Sequence, residues 1–321
     1  MLTRNTLAPE DFVSSDLKMV ESIVRRLDQT NSRQQISFLG AGSCNNNYLV
    51  DRFGERLVVK LSKPDREYKA ASEYKKERWC LDRAQALLVP SPQVLEVGEE
   101  LGRVYMVQSY VEGTVGADVA GNSVLSPALQ IKVWRRLGEY AKKIHSVQVT
   151  GWGEELASDG IFTGSWQKHL RYNIDSLTDS DQLLAMGVLS REQSAAFKDA
   201  LLAFEQRKFT FGLNHGDLAL RNTIVGNTEE VYLLDWGTAR AEIVPHFDIN
   251  EIIRSTKPDL ETLQAFLDGY GITAAEFENM KSDLRTLNLL HEVDTLRWAI
   301  DKMPTVIEEH VVKVKAAFAA T

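Results

Sequence analysis

Cysteine, basic runs and long apolar stretches are scarce in this sequence, and each shortage removes a class of protein. Cys44 and Cys80 are its only cysteines. They form no CxxC pair and have no histidine close by, so neither a disulfide scaffold nor a metal cage is expected, and a reducing compartment fits best. There is no apolar run of the roughly 18 residues that span a membrane, and Met1 to Val20 holds no stretch long enough for a signal peptide. That pattern predicts a cytoplasmic protein with no membrane partner. Lys and Arg are not clustered as phosphate neutralisation requires, and the formal net charge is −8. Nucleic acid is therefore not an expected partner. Internal repeats and low-complexity tracts are also missing.

What remains is an ordinary globular composition. With 321 residues, 44% of them hydrophobic and 26% charged, the chain has enough material for one large domain or two coupled lobes. Most of its net negative charge falls after Ala241. Such a region attracts a cationic substrate, or is a solvated acidic face that aids solubility.

Leu17, Val20, Ile23, Val24 and Leu27 fall at helical spacing, with Ser15 or Asp16 placed to cap the helix. Past the polar residues Asp28 to Gln34, three strand-like runs follow at Ile36–Leu39, Tyr48–Asp51 and Arg56–Leu61, punctuated by Gly40, Gly42 and Gly54. Lys69–Leu88 reads as a helix stopped by Pro90 and Pro92, and Gln93–Val97 and Arg103–Val111 read as strands. The order β-β-β-α-β-β is thus expected for the first third. Beyond Gly113 the pattern turns helical, at Ser126–Val147, Ser165–Leu177, Arg191–Lys208 and from Pro258 onward. One hairpin interrupts it, with Thr223–Val225 and Val231–Leu234 flanking Gly226 and Asn227.

The chemistry concentrates in His215-Gly216-Asp217-Leu218-Ala219-Leu220-Arg221-Asn222, followed by the hairpin and Asp235-Trp236-Gly237. Phosphoryl transfer from a nucleotide asks for positioning, charge neutralisation and one group to orient the attacking hydroxyl. Asp217 suits the last task, as the catalytic base that takes the hydroxyl proton. Asn222 offers an amide oxygen and Asp235 a carboxylate, the hard donors that Mg2+ prefers. The steps of five residues from Asp217 to Asn222 and thirteen to Asp235 agree with the kinase template. His-x-Asp-x4-Asn by itself arises by chance in roughly one chain of this length in a hundred. The Asp-aromatic-Gly in register after a strand is what makes a mere polar loop improbable.

Lys60 ends the apolar strand Leu57-Val58-Val59, where its ammonium meets the α- and β-phosphates. It needs a carboxylate to hold it: Glu77 on the next helix, or Glu73 one turn earlier. Gly42 and Ser43 lie in a turn between strands whose small residues let backbone N–H groups approach phosphate oxygens. No Gly-Lys-Ser/Thr follows, so this is not a P-loop of the Walker type.

With these residues in hand, the chain resembles the aminoglycoside phosphotransferase and choline kinase superfamily. The likeness extends through Gly42-x-x-Asn45-x-x-Tyr48, Val59-Lys60, Glu77-x3-Leu81, Val89-Pro90-Ser91-Pro92-x-Val94-Leu95, the hinge-like Met106 to Gly113, and Leu137 to His145. It implies an α+β, bilobal, protein-kinase-like fold, with a small antiparallel-sheet lobe over 1–111 and a larger, mainly helical lobe over 112–321. It also implies ATP or GTP as donor with Mg2+, and an adenine held by backbone groups at Gln108, Tyr110 and Val111. The partner is then a small-molecule hydroxyl acceptor, and the acidic helices favour a cationic, aminoglycoside-like one. Choline, ethanolamine, homoserine, a macrolide or a sugar are the alternatives. A nucleotide-binding scaffold without turnover is the reading from another class. Gly216 stands where regulated protein kinases carry Arg, no Ala-Pro-Glu follows Asp235, and the nucleotide turn lacks a third glycine. These departures argue against a protein substrate. Asp248, in Pro245-His246-Phe247-Asp248, resembles a family aspartate that follows the metal motif but reads first as a helix-start cap, and His145 and the tryptophans read as packing residues; Trp152 and Trp166 are also placed to line an acceptor pocket.

Overall fold

The computed structural model describes residues 9–27, 34–52, 54–118 and 120–319. The polar break expected over Asp28–Gln34, apart from Gln34, and the extreme ends of both expected lobes lie outside them. The chain divides into two compact units, Met1–Asp118 with Arg221–Gly237, and Val119–Leu220 with Thr238–Thr321.

The first unit opens with α1 (Pro9–Leu27). Val20, Ile23 and Val24 line its buried face, against Tyr48, Val50, Leu57, Val59, Tyr105 and Val107. The helix starts earlier than the spacing of apolar residues predicts, and this overturns the capping role expected of Asp16. Its carboxylate lies inside the helix, fully buried, where it accepts from Tyr48 Oη at 2.8 Å and Asn46 Nδ2 at 3.0 Å, with Arg103 Nη1 at 3.3 Å. Burial, reinforced by that carboxylate, holds the Tyr48 phenol far above its usual range, so it stays a donor. Asp16→Ala is expected to strand the buried Arg103 charge and cost about 3 kcal/mol, read as a lower denaturant midpoint at unchanged slope.

Five strands follow in the expected order: β1 (Gln35–Ala41), β2 (Asn45–Arg52), β3 (Glu55–Ser62), then α2 (Glu67–Ala86), β4 (Val94–Glu100) and β5 (Arg103–Ser109). They pair antiparallel as β1-β2-β3-β5-β4. Alternation along β3 turns Leu57, Val59 and Leu61 toward α1 and Lys60 to the opposite face. On α2, Ala70, Tyr74, Glu77, Leu81 and Ala84 recur every three or four residues and form one buried stripe. Leu88, at φ 55°, and Pro90 prevent the helix from continuing. The short β6 (Thr114–Val115) closes this stretch.

In the second unit, Ser126 caps α3 (Pro127–His145) by accepting from Leu129 N at 3.4 Å. Next come β7 (Trp152–Ser158), β8 (Ile161–Gly164), α4 (Trp166–Ser176), the short α5 (Gln182–Ala185), α6 (Arg191–Glu205) and β9 (Phe211–Asn214). The hairpin β10 (Thr223–Val225) and β11 (Val231–Leu233) belongs to the first unit, where β10 also pairs with β6. Its connection runs from Gly226 to Glu230, closed by Gly226 N on Glu230 O at 2.9 Å, with Glu229 taking the left-handed conformation.

The chain then continues through β12 (Arg240–Ile243), α7 (His246–Glu251), α8 (Leu260–Tyr270), α9 (Ala274–Lys302) and α10 (Ile307–Ala319). The helical run expected from Pro258 onward is three helices, interrupted at Gly271 and before Pro304. Trp166, Leu170 and Ile174 of α4, Phe197 and Leu201 of α6, Val293 of α9, and Val314 and Phe318 of α10 form one core. The sheet β8-β7-β12-β9 was not anticipated by the helical pattern. Three of its strands have only four residues, too few for alternation to register. At the α3–α8 crossing, a Cβ on Gly138 would lie 2.0 Å from Phe266 O, and one on Gly269 would lie 1.9 Å from Arg135 O. Only glycine permits that approach.

Candidate active site

The positive end of the site is built by β3 and α2. Lys60 Nζ donates to both carboxylate oxygens of Glu77, at 2.7 and 2.8 Å. Both residues are buried, at 8% and 2% exposure, so the pair is little screened by solvent. Glu73 lies off the buried stripe and pairs with Lys69 at 3.4 Å, which decides between the two carboxylates. Burial alone would lower the Lys60 pKa. The negative charges of Glu77, then Asp235, then Glu73 outweigh it, and the ammonium is held above its usual value. Asp235 therefore lies within electrostatic reach of Lys60.

Asp235 follows β11 at φ 58° and is exposed. A non-glycine residue in that region is uncommon, Asp being one of those that tolerate it, and such conformations cluster at functional sites. Trp236, fully buried, anchors the turn and donates Nε1–H to Leu233 O at 3.4 Å. Asn222, 7% exposed, is tied to the same hairpin through its carbonyl, which accepts from Leu234 N at 2.8 Å. Lys60, Glu77, Asn222 and Asp235 all belong to the first unit.

Gly42 and Ser43 are exposed between β1 and β2. The turn is closed by Gly42 N on Asn45 O at 2.8 Å, and Lys63 Nζ donates to Gly42 O. Gln108, buried on β5, is spent in pairing with β3 and β4. The next two amides are also engaged, Ser109 N on Gln93 O at 2.9 Å and Tyr110 N on Arg56 O at 3.1 Å. The Tyr110 ring lies under the Arg56 guanidinium at 4.5 Å. Of the residues expected to hold adenine, Val111 is the one whose N–H has no partner among the described residues.

Asp217 belongs to the second unit, half-buried at the end of the segment that leaves β9. That segment is held by Asp248 on α7. Asp248 is fully buried; its Oδ1 accepts from Gly216 N at 2.8 Å and its Oδ2 from His215 N at 3.1 Å. His145 Nε2 lies 3.1 Å from the same Oδ2, and His145 Nδ1 lies 3.0 Å from Tyr270 Oη. Burial would raise the Asp248 pKa, but the hydrogen bonds from His145 and from the Gly216 amide hold it below the usual carboxylate range. Thr238 Oγ1 donates to His215 O at 3.2 Å, and Asp217 N approaches His215 Nδ1 at 3.3 Å. Gly216 takes φ 80°, and a Cβ there would lie 2.5 Å from Thr238 O, so no arginine could replace it in this geometry.

Two sequence-based expectations change here. Asp248 is not a helix cap: α7 is preceded by Pro245, no side chain caps it, and the carboxylate binds loop amides instead. His145 is more than packing, since both of its ring nitrogens have polar partners. The signal available in the sequence was the polar residues themselves at positions otherwise apolar, next to Ile144 and Ile249. Trp152 and Trp166 have ring centroids 6.0 Å apart, and His169 stacks on Trp152 at 4.4 Å.

Compared with known proteins, residues 35–281 match the model of the phosphotransferase enzyme family. No curated protein matches the sequence. Among solved structures, the chain is similar to the GDP complex of aminoglycoside 2'-phosphotransferase-IIIa, with TM-score 0.67 and 16% identity over 94% of this chain and 98% of that one. The GDP and kanamycin complex of APH(2")-IIia gives TM-score 0.66 and 16% identity, covering 94% and 99%. A thermostable mutant of APH(4)-Ia in ternary complex with AMP-PNP and hygromycin B gives 0.65 and 18%, covering 94% and 98%.

Proposed function

Since this chain belongs to the phosphotransferase enzyme family, we propose that it is a small-molecule kinase, moving the γ-phosphoryl group of ATP or GTP onto a substrate hydroxyl. The observation that carries this reading is the buried Lys60–Glu77 pair with the Asp235 charge at the same ammonium. A cation fixed by a bidentate carboxylate, within electrostatic reach of a second carboxylate, suits a metal-bound triphosphate better than it suits a structural ion pair.

Lys60 neutralises the α- and β-phosphates, the turn at Gly42 and Ser43 supplies backbone contact to phosphate oxygens, and Val111 N–H takes the base. Asp217 orients the acceptor hydroxyl and takes its proton as the oxygen bonds to the γ-phosphorus. The bond from that phosphorus to the bridging oxygen breaks, leaving a nucleoside diphosphate. Asn222 and Asp235 fit Mg2+ in donor chemistry. Bound there, it would neutralise phosphate charge.

For the acceptor, the neighbouring structures that hold kanamycin or hygromycin B with a nucleotide support an aminoglycoside-like compound. The acidic excess after Ala241 supports it less than its count suggests. Glu251 is paired with Arg254 at 2.6 Å, Asp283 with Arg207, and Asp248 with loop amides. The test is nucleotide turnover with Mg2+ across a panel of aminoglycosides, amino alcohols, homoserine, macrolides and sugars. Transfer to at least one of them is expected. Nucleotide binding without transfer to any would replace this reading with a scaffold.

A further inference from the structure

We infer that Tyr270 is a positioning residue for the loop that carries Asp217, acting through His145 and Asp248. The inference rests on the kinase reading for its effect on rate, and on hydrogen-bond direction for its geometry.

The direction is fixed at the carboxylate. An ionised Asp248 can only accept, so His145 Nε2, 3.1 Å away, must carry a hydrogen. In a neutral imidazole the other nitrogen is then a lone-pair acceptor, and the group facing it at 3.0 Å is the Tyr270 hydroxyl. Burial, followed by the charge of Asp248, pushes the Tyr270 phenol up to about 12, so it keeps its proton to donate. The chain runs one way, from Tyr270 O–H to His145, from His145 to Asp248, with the His215 and Gly216 amides converging on the same carboxylate. Every member lies in the second unit.

The placement of Tyr270 is itself determined by sequence. It is the last residue of α8, and Gly271, at φ 86°, ends that helix with its N–H on Leu267 O at 2.8 Å. The glycine contacts at Gly138 and Gly269 bring α8 against α3, whose last residue is His145. Two helix ends thereby meet ring to ring, with centroids 5.4 Å apart.

Tyr270→Phe keeps the ring and removes only the hydroxyl, so folding is retained while a buried acceptor on His145 loses its donor. Amide exchange at His215 and Gly216 should quicken by about tenfold, the scale of one lost hydrogen bond of ~1.4 kcal/mol. The His145 Nδ1 resonance should shift as its hydrogen bond disappears. In the transfer assay kcat should fall by about tenfold, with the nucleotide KM held within about twofold. Unchanged exchange at those two amides, or an equal rise in exchange throughout the unit, would overturn the inference. So would faster exchange there with kcat unaltered. If the wild-type chain transfers to no acceptor, the kinase reading fails, and exchange alone still decides whether Tyr270 orders the loop.

Discussion

Replacing Asp217 by alanine is expected to slow transfer by roughly 10²- to 10⁴-fold while nucleotide affinity stays near its original value. Asp248, Thr238 and the glycine conformation at 216 hold the loop through contacts that do not use the Asp217 side chain. Loss of the carboxylate therefore removes a proton acceptor without moving the main chain. Single-turnover rates at saturating nucleotide and acceptor measure the chemical step directly. A rate equal to that of the wild type would show that the hydroxyl proton leaves by another route.

The second large effect concerns Glu77. Glu77→Gln is expected to destabilise the fold by about 3–5 kcal/mol, because it leaves the Lys60 charge buried without its principal partner. It should also raise the nucleotide KM, since an ammonium no longer clamped can swing toward Asp235. Glu73→Gln is expected to do little in either assay, its carboxylate being paired with the exposed Lys69. Comparable losses in the two variants would contradict the assignment of the clamp to Glu77. The pH behaviour has a definite sign. The folded Lys60 pKa lies above its unfolded value, so its contribution to stability is complete below about pH 10 and is lost only as pH rises through the folded pKa. Stability near neutrality should not titrate on Lys60.

Much of the candidate site was readable because its members are polar residues at fixed offsets on a loop between apolar runs. Lys60 was legible for a related reason, as a charge set in an apolar run, although β3 continues past it to Ser62 rather than ending there. The choice of Glu77 over Glu73 was open in the sequence, although the helical period of Tyr74, Leu81 and Ala84 places only Glu77 on the buried face. Asp16, Asp248, His145 and Tyr270 were not legible as a group. Their partners lie between 30 and 125 positions away along the chain, and local spacing carries no information at that range. The sheet built from β7, β8, β9 and β12 was missed because a four-residue strand shows too few alternations to be told from a loop.

Where α3 crosses α8, main chain rests on main chain at Gly138 and Gly269, and the Trp134 and Phe266 rings meet edge to face beside them. Such a joint cannot relax by a rotamer hop, and sliding one helix along the other would drive a neighbouring methyl or larger group into a carbonyl. The distance from Tyr270 to His145 is therefore gauged by main-chain contact at Gly138 and Gly269. Heating should soften the surrounding apolar contacts well before it alters that gauge.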